Sequence, residues 1–200
     1  MINKLLGFYE LQKTGLPVIK FKEIKTINDI NTIQSSIPRA KLWTLRTAVY
    51  CGDDMWLPKA VGVTIEDAIL FAKPLLEDEN ISIVMYPYFW ALSSGNLVIT
   101  HDSILVEAIS GDLWKMNSQN IDYTFQYQIS TETLTSGGLK EFLTKQQNRE
   151  LLQFGKIIFS KYKNDILSSS GMQFEWSYAS YVEPEMTQEW NLIFYEMRTL

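Results

Sequence analysis

The sequence predicts an α+β protein, and three observations carry that expectation. Segments with strand and helix patterns mix along the chain without the strict alternation of a doubly wound sheet. The 200 residues are 46% hydrophobic, enough apolar mass for one globular unit or two small lobes with a packed core. Ten Gly and six Pro are ordinary numbers, so disorder is excluded as a description of the whole chain.

Leu5, Leu6, Tyr9 and Leu11 recur at helical spacing and Gly15 closes the segment, which predicts a helix from about Asn3 to Thr14. Pro17 to Ile24 alternates apolar and polar residues and reads as a strand. Thr26 to Ser35 follows as a short helix, with Thr26 or Asn28 as its cap. Ala40 to Tyr50, rich in aromatic and β-branched residues, is a strand with Arg46 embedded in it, and Cys51 to Asp54 reads as a turn. Thr64 caps a helix to Leu76, with Asp67 in the capping-box position and Ile65, Ala68, Ile69, Ala72 and Leu76 as its apolar stripe. Ile81 to Tyr88 and Asn96 to Thr100 are strands that Ser93-Ser94-Gly95 would join, and Ile104 to Ile109 is a third strand of the same run. Asn117 to Thr135 is a strand pair or an irregular excursion, and Thr135-Ser136-Gly137-Gly138 a loop. Leu139 to Asp165 is the longest helical stretch. Phe174 to Tyr178 and Asn191 to Met197 are the last two strands, with an acidic loop of Glu183, Glu185 and Glu189 between them.

Composition removes several functions. One cysteine, Cys51, makes neither an internal disulfide framework nor a thiolate zinc site. One histidine, His101, excludes a multi-histidine metal site, and no nucleophile motif lies near it; it reads as a strand-end or turn residue. A net charge of -5 weighs against a nucleic-acid partner. The first 15 residues lack the apolar core of a signal peptide. The longest nearly uncharged apolar run, Ile81 to Leu92, is too short to span a bilayer as a helix and contains Pro87. The expectation is therefore a soluble cytoplasmic protein without a membrane partner.

The final two strands hold the most chemistry. Side chains alternate along a strand, so Leu192, Phe194, Glu196 and Arg198 are expected to share one face. If the strands pair, Glu175 and Glu196 can face the same space. Two carboxylates beside an arginine suit a magnesium ion and the polyphosphate it bridges: hard oxygen ligands for the metal, a planar fork for phosphate. A surface cross-strand salt bridge among Glu175, Glu196 and Arg198 is the alternative.

The pattern Phe174-Glu175-Trp176, then Leu192-Ile193-Phe194-Tyr195-Glu196-Met197-Arg198, resembles the end of the nucleotide-binding domain of phosphoenolpyruvate synthases and pyruvate phosphate dikinases. That domain has the ATP-grasp fold. Four other segments agree in order: Lys4 with Glu10-Leu11 and Gly15-Leu16-Pro17-Val18; Leu45-Arg46-Thr47-Ala48 followed by the acidic Gly52-Asp53-Asp54; Val84 to Pro87 running to Ser94-Gly95 and Thr100; and Ile104 to Ala108 with Gly111-Asp112. The resemblance implies that Glu175 and Glu196 are magnesium ligands, with glutamate at 196 where the family has glutamine. It implies that Lys4, Arg46 and Arg198 contact the phosphates of ATP, Arg46 and Arg198 as candidate catalytic cations, and that Glu107 lies near the nucleotide. Cations neutralise phosphate oxygens and leave the γ-phosphate open to in-line attack.

Other clusters carry less. Asp53-Asp54 reads as a turn before a metal site, Glu77-Asp78-Glu79 as a solvated loop, and the tryptophans and tyrosines mostly as core. The expected architecture is ATP-grasp-like: two small α+β lobes with mainly antiparallel sheets, residues 1–80 and 81–200, the second carrying the metal and phosphate site. The expected function is magnesium-dependent ATP binding and phosphotransfer to a partner protein or small-molecule acceptor. The alternatives are a carboxylate ligase and a non-catalytic binding or scaffold module.

Overall fold

A computed structural model describes residues 2–52, 57–116, 120–139, 141–187 and 189–200. The elements run α1 (Lys4–Gln12), β1 (Lys22–Ile24), α2 (Ile27–Ser36), β2 (Trp43–Val49), β3 (Lys59–Val63), α3 (Ile65–Leu75), β4 (Ile81–Pro87), β5 (Trp90–Ile99), β6 (Ser103–Ser110), β7 (Tyr123–Gln128), β8 (Thr133–Gly138), α4 (Lys145–Lys161), α5 (Lys163–Leu167), β9 (Met172–Ser180) and β10 (Asn191–Thr199). They form two sheets, β1-β4-β2-β3 and β10-β9-β5-β6-β7-β8. The α+β expectation holds.

The chain divides into two compact units, residues 1–18, 91–180 and 188–200 in one, 19–90 and 181–187 in the other. This differs from a single cut after residue 80, because the N-terminal helix belongs with the last strand. Ile2 and Thr199 bond reciprocally: Ile2 N–H donates to Thr199 Oγ1 at 3.0 Å and Thr199 N–H to the Ile2 carbonyl at 3.2 Å. An added Cβ on Gly7 would lie 1.9 Å from the Met197 carbonyl oxygen, so only glycine lets α1 sit this close to β10.

The first unit packs α4 and α1 on one face of the six-stranded sheet. Leu151 and Ile158 of α4 meet Ile104, Val106, Phe125, Phe174, Trp176 and Phe194, all buried. Burying each large side chain contributes about 1.5–3 kcal/mol relative to leaving it in water. The second unit packs Ile30 and Ile33 of α2 and Ala68 and Ala72 of α3 on Trp43, Leu45, Ile83 and Met85. The helix-start chemistry follows the sequence: Asn3 accepts from Leu6 N–H, and Thr64 Oγ1 accepts from Asp67 N–H.

Several segments differ from expectation. Only Lys22–Ile24 of the expected strand Pro17–Ile24 is a strand; Val18 instead bridges Phe194 in parallel, and the Pro17 carbonyl accepts from Phe194 N–H. Ser93-Ser94-Gly95 lies inside β5 and not in a turn, because β4 and β5 belong to different sheets. Ser94 and Gly95 pair with Ile109 and Ala108. The buried Ser94 hydroxyl donates to the Gly111 carbonyl at 2.7 Å or bonds Ser177 Oγ at 2.8 Å, so its polarity is satisfied without water. Thr135 to Gly138 is part of edge strand β8 and not a loop. Strand β3 has no counterpart in the sequence reading; it is short, bulged against β2, and contains Gly62 at φ +66°.

Asp29 is the hub at the start of α2. Its Oδ2 accepts from Thr26 N–H at 2.9 Å and Lys25 N–H at 3.1 Å, and Lys22 Nζ lies 3.0 Å from Oδ1. The lysine above all, and then the other donors, hold its carboxyl down at about 2. A depressed carboxyl stabilises fully above its unfolded value, here about pH 4, and loses that contribution as pH falls through 2. Asp29→Ala is therefore expected to cost about 1 kcal/mol near pH 7. Urea titrations should show the gap between variant and parent narrowing from pH 5 downward.

Candidate functional site

The β9–β10 pair holds the candidate residues, and a β-bulge decides which way they point. Phe194 pairs with Trp176, but the next pairing is Glu196 with Glu175, leaving Tyr195 as an extra residue. Trp176 and Glu175 are consecutive and so lie on opposite faces. Leu192 and Phe194 therefore join the core with Trp176 and Tyr178, while Glu196 and Arg198 move to the Glu175 face. The expectation that Leu192, Phe194, Glu196 and Arg198 share one face is corrected here; strict alternation fails at the bulge. The facing of Glu175 and Glu196 is found as expected.

Arg198 pairs with Gln173, so these two polar or charged residues stand beside the Glu175–Glu196 pair on this face. Glu196 is only 3% exposed; Glu175 and Arg198 are half-buried. Gln173 Nε2 donates to Asn96 Oδ1 on β5 at 2.9 Å. Asn96 pairs in turn with Glu107 on β6, and Glu107 with Thr124 on β7. The neighbours of Glu107, Val106 and Ala108, are core residues, which puts Glu107 on the same outward face. One polar row thus crosses the sheet from Arg198 through Gln173, Asn96 and Glu107 to Thr124. Lys4 is the first residue of α1, two positions from the Ile2–Thr199 bonds at the Arg198 end of β10.

The structure therefore collects Glu107, Glu175, Glu196 and Arg198 on one sheet face, with Lys4 starting the helix that packs on its last strand. Arg46 belongs to the other unit: it lies in β2, 6% exposed, paired with Val84 on β4 and Lys59 on β3. Sequence reasoning missed Gln173, Asn96 and Lys59. Gln173 had a signal, two residues before Glu175 in a period-2 strand. Asn96 and Lys59 had none without the pairing.

Asp53 and Asp54 lie outside the described residues. Among the described residues, no group of three or more His, Cys, Asp or Glu is clustered to hold a metal. Two carboxylates alone suit magnesium that takes its remaining ligands from phosphate and water. His101 is exposed in the β5–β6 turn, and Cys51 is a free, exposed thiol. Glu77, Asp78 and Glu79 are exposed in the α3–β4 loop. No helix among the described residues is long and apolar enough to cross a membrane.

No family model matches the sequence, and no curated protein matches it. Solved structures do, by shape. The ADP complex of N5-carboxyaminoimidazole ribonucleotide synthetase superposes with TM-score 0.60 at 10% identity, over 98% of this chain and 44% of that one. D-alanyl-alanine synthetase A from Vibrio cholerae gives 0.56 at 14% identity, over 99% and 54%. Macrocyclase MdnC of Microcystis aeruginosa, bound with its precursor peptide MdnA, gives 0.52 at 12% identity, over 97% and 50%. This chain has the ATP-grasp fold and spans about half the length of these neighbours. Their likeness extends to the fold class expected from the sequence; none of the three is a phosphoenolpyruvate synthase or dikinase.

Proposed function

We propose that this chain binds ATP with magnesium and is the nucleotide-binding part of an ATP-grasp ligase that activates a carboxylate. The observation that carries the reading is the bulge at Tyr195, which sets Glu196 opposite Glu175 and beside Arg198 on a polar sheet face. The ligases among the shape neighbours support the carboxylate-activating chemistry; of those described above, one is a complex with ADP and another is bound with a precursor peptide. Glu175 and Glu196 would hold the magnesium, which when bound would screen phosphate charge. Lys4, Arg46 and Arg198 would contact phosphate oxygens, the arginine forks fixing the orientation of the transferred group. Glu107, half-buried on the same face, would sit near the nucleotide.

A carboxylate attacking the γ-phosphorus forms an acyl phosphate with loss of ADP, and an amine then displaces phosphate. What the chain contributes is placement and fixed positive charge, since there is little covalent chemistry for it to perform. Phosphotransfer of the dikinase type is the second reading, favoured by the Phe174-Glu175-Trp176 and Glu196-Met197-Arg198 pattern. Its acceptor would be a partner protein's histidine or a small molecule.

Calorimetric titration of ATP, with and without magnesium, tests the reading. Binding is expected only with the metal, and Glu175→Ala and Arg198→Ala are each expected to weaken it at least about tenfold. Hydroxylamine trapping then separates the chemistries: a hydroxamate from a carboxylate substrate marks the ligase. No binding at millimolar ATP would leave a binding or scaffold module that shares only the fold.

A further inference from the structure

Among the described residues, the two sheets end in four edge strands, and only β8 is left unguarded. β1 is three residues long and carries Lys22 and Glu23. β3 starts at Lys59, is bulged against β2 and contains Gly62 at positive φ. β10 is covered by the chain's own Pro17 and Val18: Val18 bridges Phe194 in parallel, and the Pro17 carbonyl accepts from Phe194 N–H. Short strands, charges, bulges and covering segments keep the outer backbone groups of a sheet from pairing with another chain. β8, Thr133-Leu134-Thr135-Ser136-Gly137-Gly138, has none of them: no charge, no proline, and an unbroken register against β7. All six residues are exposed, Leu134 to 56%.

The hydrogen bonds around β7 and β8 fix which backbone groups point outward. Leu139 N–H donates to the Asp122 carbonyl at 2.8 Å, just beyond the Tyr123–Gly138 pairing. In an antiparallel ladder every second pair exchanges hydrogen bonds. Thr124–Gly137, Gln126–Thr135 and Gln128–Thr133 therefore carry the bonds within the hairpin. On its other side β7 keeps the opposite phase, since Ile129 N–H donates to the Asp102 carbonyl at 2.8 Å. The N–H and C=O groups of Leu134, Ser136 and Gly138 are thus aimed away from β7, along the exposed edge. Leu134 and Gly138 oppose Tyr127 and Tyr123, so both lie on the face of the sheet that α4 covers.

We propose that β8 pairs with β8 of a second copy of this chain, antiparallel about a two-fold axis at Ser136, joining two six-stranded sheets into one. The strand is complementary to itself in this register. Ser136 meets Ser136 and Leu134 meets Gly138, so all three outward residues find outward residues. An axis at Thr135 would set Gly138 against Glu132, which lies in the turn before the strand at φ 55°. No like charges oppose each other, because the strand has no charge. Gly138 has no side chain, which leaves Leu134 of the second copy room to lie over the glycine toward Tyr123, itself stacked on Phe142. The other edge of the sheet is covered by Pro17 and Val18, so the pairing closes at two copies instead of growing. A six-residue edge buries less than the roughly 1,200 Å² of a standard interface, so the dimer is reversible and depends on concentration.

Sedimentation velocity of the full chain, from micromolar to millimolar concentration, tests the proposal. The parent is expected to shift from monomer to dimer and no further. Ser136→Lys and Ser136→Glu each place two like charges across the axis, and each alone is expected to raise the dimer Kd at least about tenfold. An equal mixture of the two is expected to restore the dimer, because lysine then faces glutamate. Amide exchange adds a local reading: Leu134, Ser136 and Gly138 are expected to slow as concentration rises, while Thr133, Thr135 and Gly137 stay as they are. Position 136 is exposed, so both variants should keep the parent's circular dichroism. If either fails to fold, Leu134→Lys carries the test and is expected to be monomeric. A parent that stays monomeric, a dimer indifferent to charge at 136, or a mixture that fails to pair each overturns the proposal.

Discussion

Gly95→Ala is expected to destabilise the first unit by about 3–5 kcal/mol, enough to leave much of the protein unfolded. A Cβ at this position would lie 1.9 Å from the Glu107 carbonyl oxygen and 2.5 Å from Trp176 Cζ2. The first obstacle is backbone of the neighbouring strand, so no side-chain rotation relieves it. The second is a fully buried indole with no room to retreat. β5 would have to part from β6 in the interior of the six-stranded sheet, losing ladder hydrogen bonds that no water replaces. Gly137→Ala in edge strand β8 is the control. Its nearest neighbour is Thr124 Oγ1 at 3.4 Å and the position is exposed, so the same change should be neutral or stabilise by up to about 0.5 kcal/mol. Urea midpoints of the two variants should move in opposite directions, or the first should not be recovered folded.

Gly95 also shows why parts of the fold were hidden in the sequence. Ser93-Ser94-Gly95 has turn composition, and local reading makes it a turn. In the fold the glycine is needed because Trp176 and the next strand approach it, a long-range cause that leaves no mark beside it. Three helix starts were legible because a cap acts within three or four residues: Asn3, Thr26 and Thr64 sit where their side chains meet their own helix. The longest helical stretch was placed too early: α4 starts at Lys145 behind its Thr144 cap, not at Leu139. The pairing of Glu175 with Glu196 was legible from strand order at the chain's end. The bulge between them was not, since Tyr195 is an ordinary strand residue. Without it, period 2 puts Glu196 in the core with Phe194. The division of the chain into units was hidden too, because α1 joins the last strand through Gly7 and Ile2, nearly 200 residues away in sequence.

Trp176→Ala is expected to cost about 3–5 kcal/mol, and Trp176→Phe clearly less. The indole is fully buried between Phe174 and Tyr178 on the core face of β9, with its ring edge-on to Tyr178 at 5.8 Å. Alanine removes that area and leaves a cavity that Gly95, lacking a side chain, does nothing to fill. Phenylalanine keeps most of the area. It also deletes a liability: among the described residues, the buried Nε1 has no hydrogen-bond acceptor. Leaving such a donor unpaired costs about 1–3 kcal/mol, so its removal offsets much of the lost ring. The two variants also separate packing from chemistry. Glu175 and Ser177 flank Trp176 on the opposite face, so the indole pins the stretch of β9 that presents Glu175 to Glu196. Trp176→Phe should keep far-UV circular dichroism, urea slope and magnesium-dependent ATP affinity close to the parent. Trp176→Ala should lose affinity in step with stability. Equal losses in the two variants would overturn this account of the indole's packing; lost affinity with unchanged stability in Trp176→Phe would detach the indole from the packing role assigned to it.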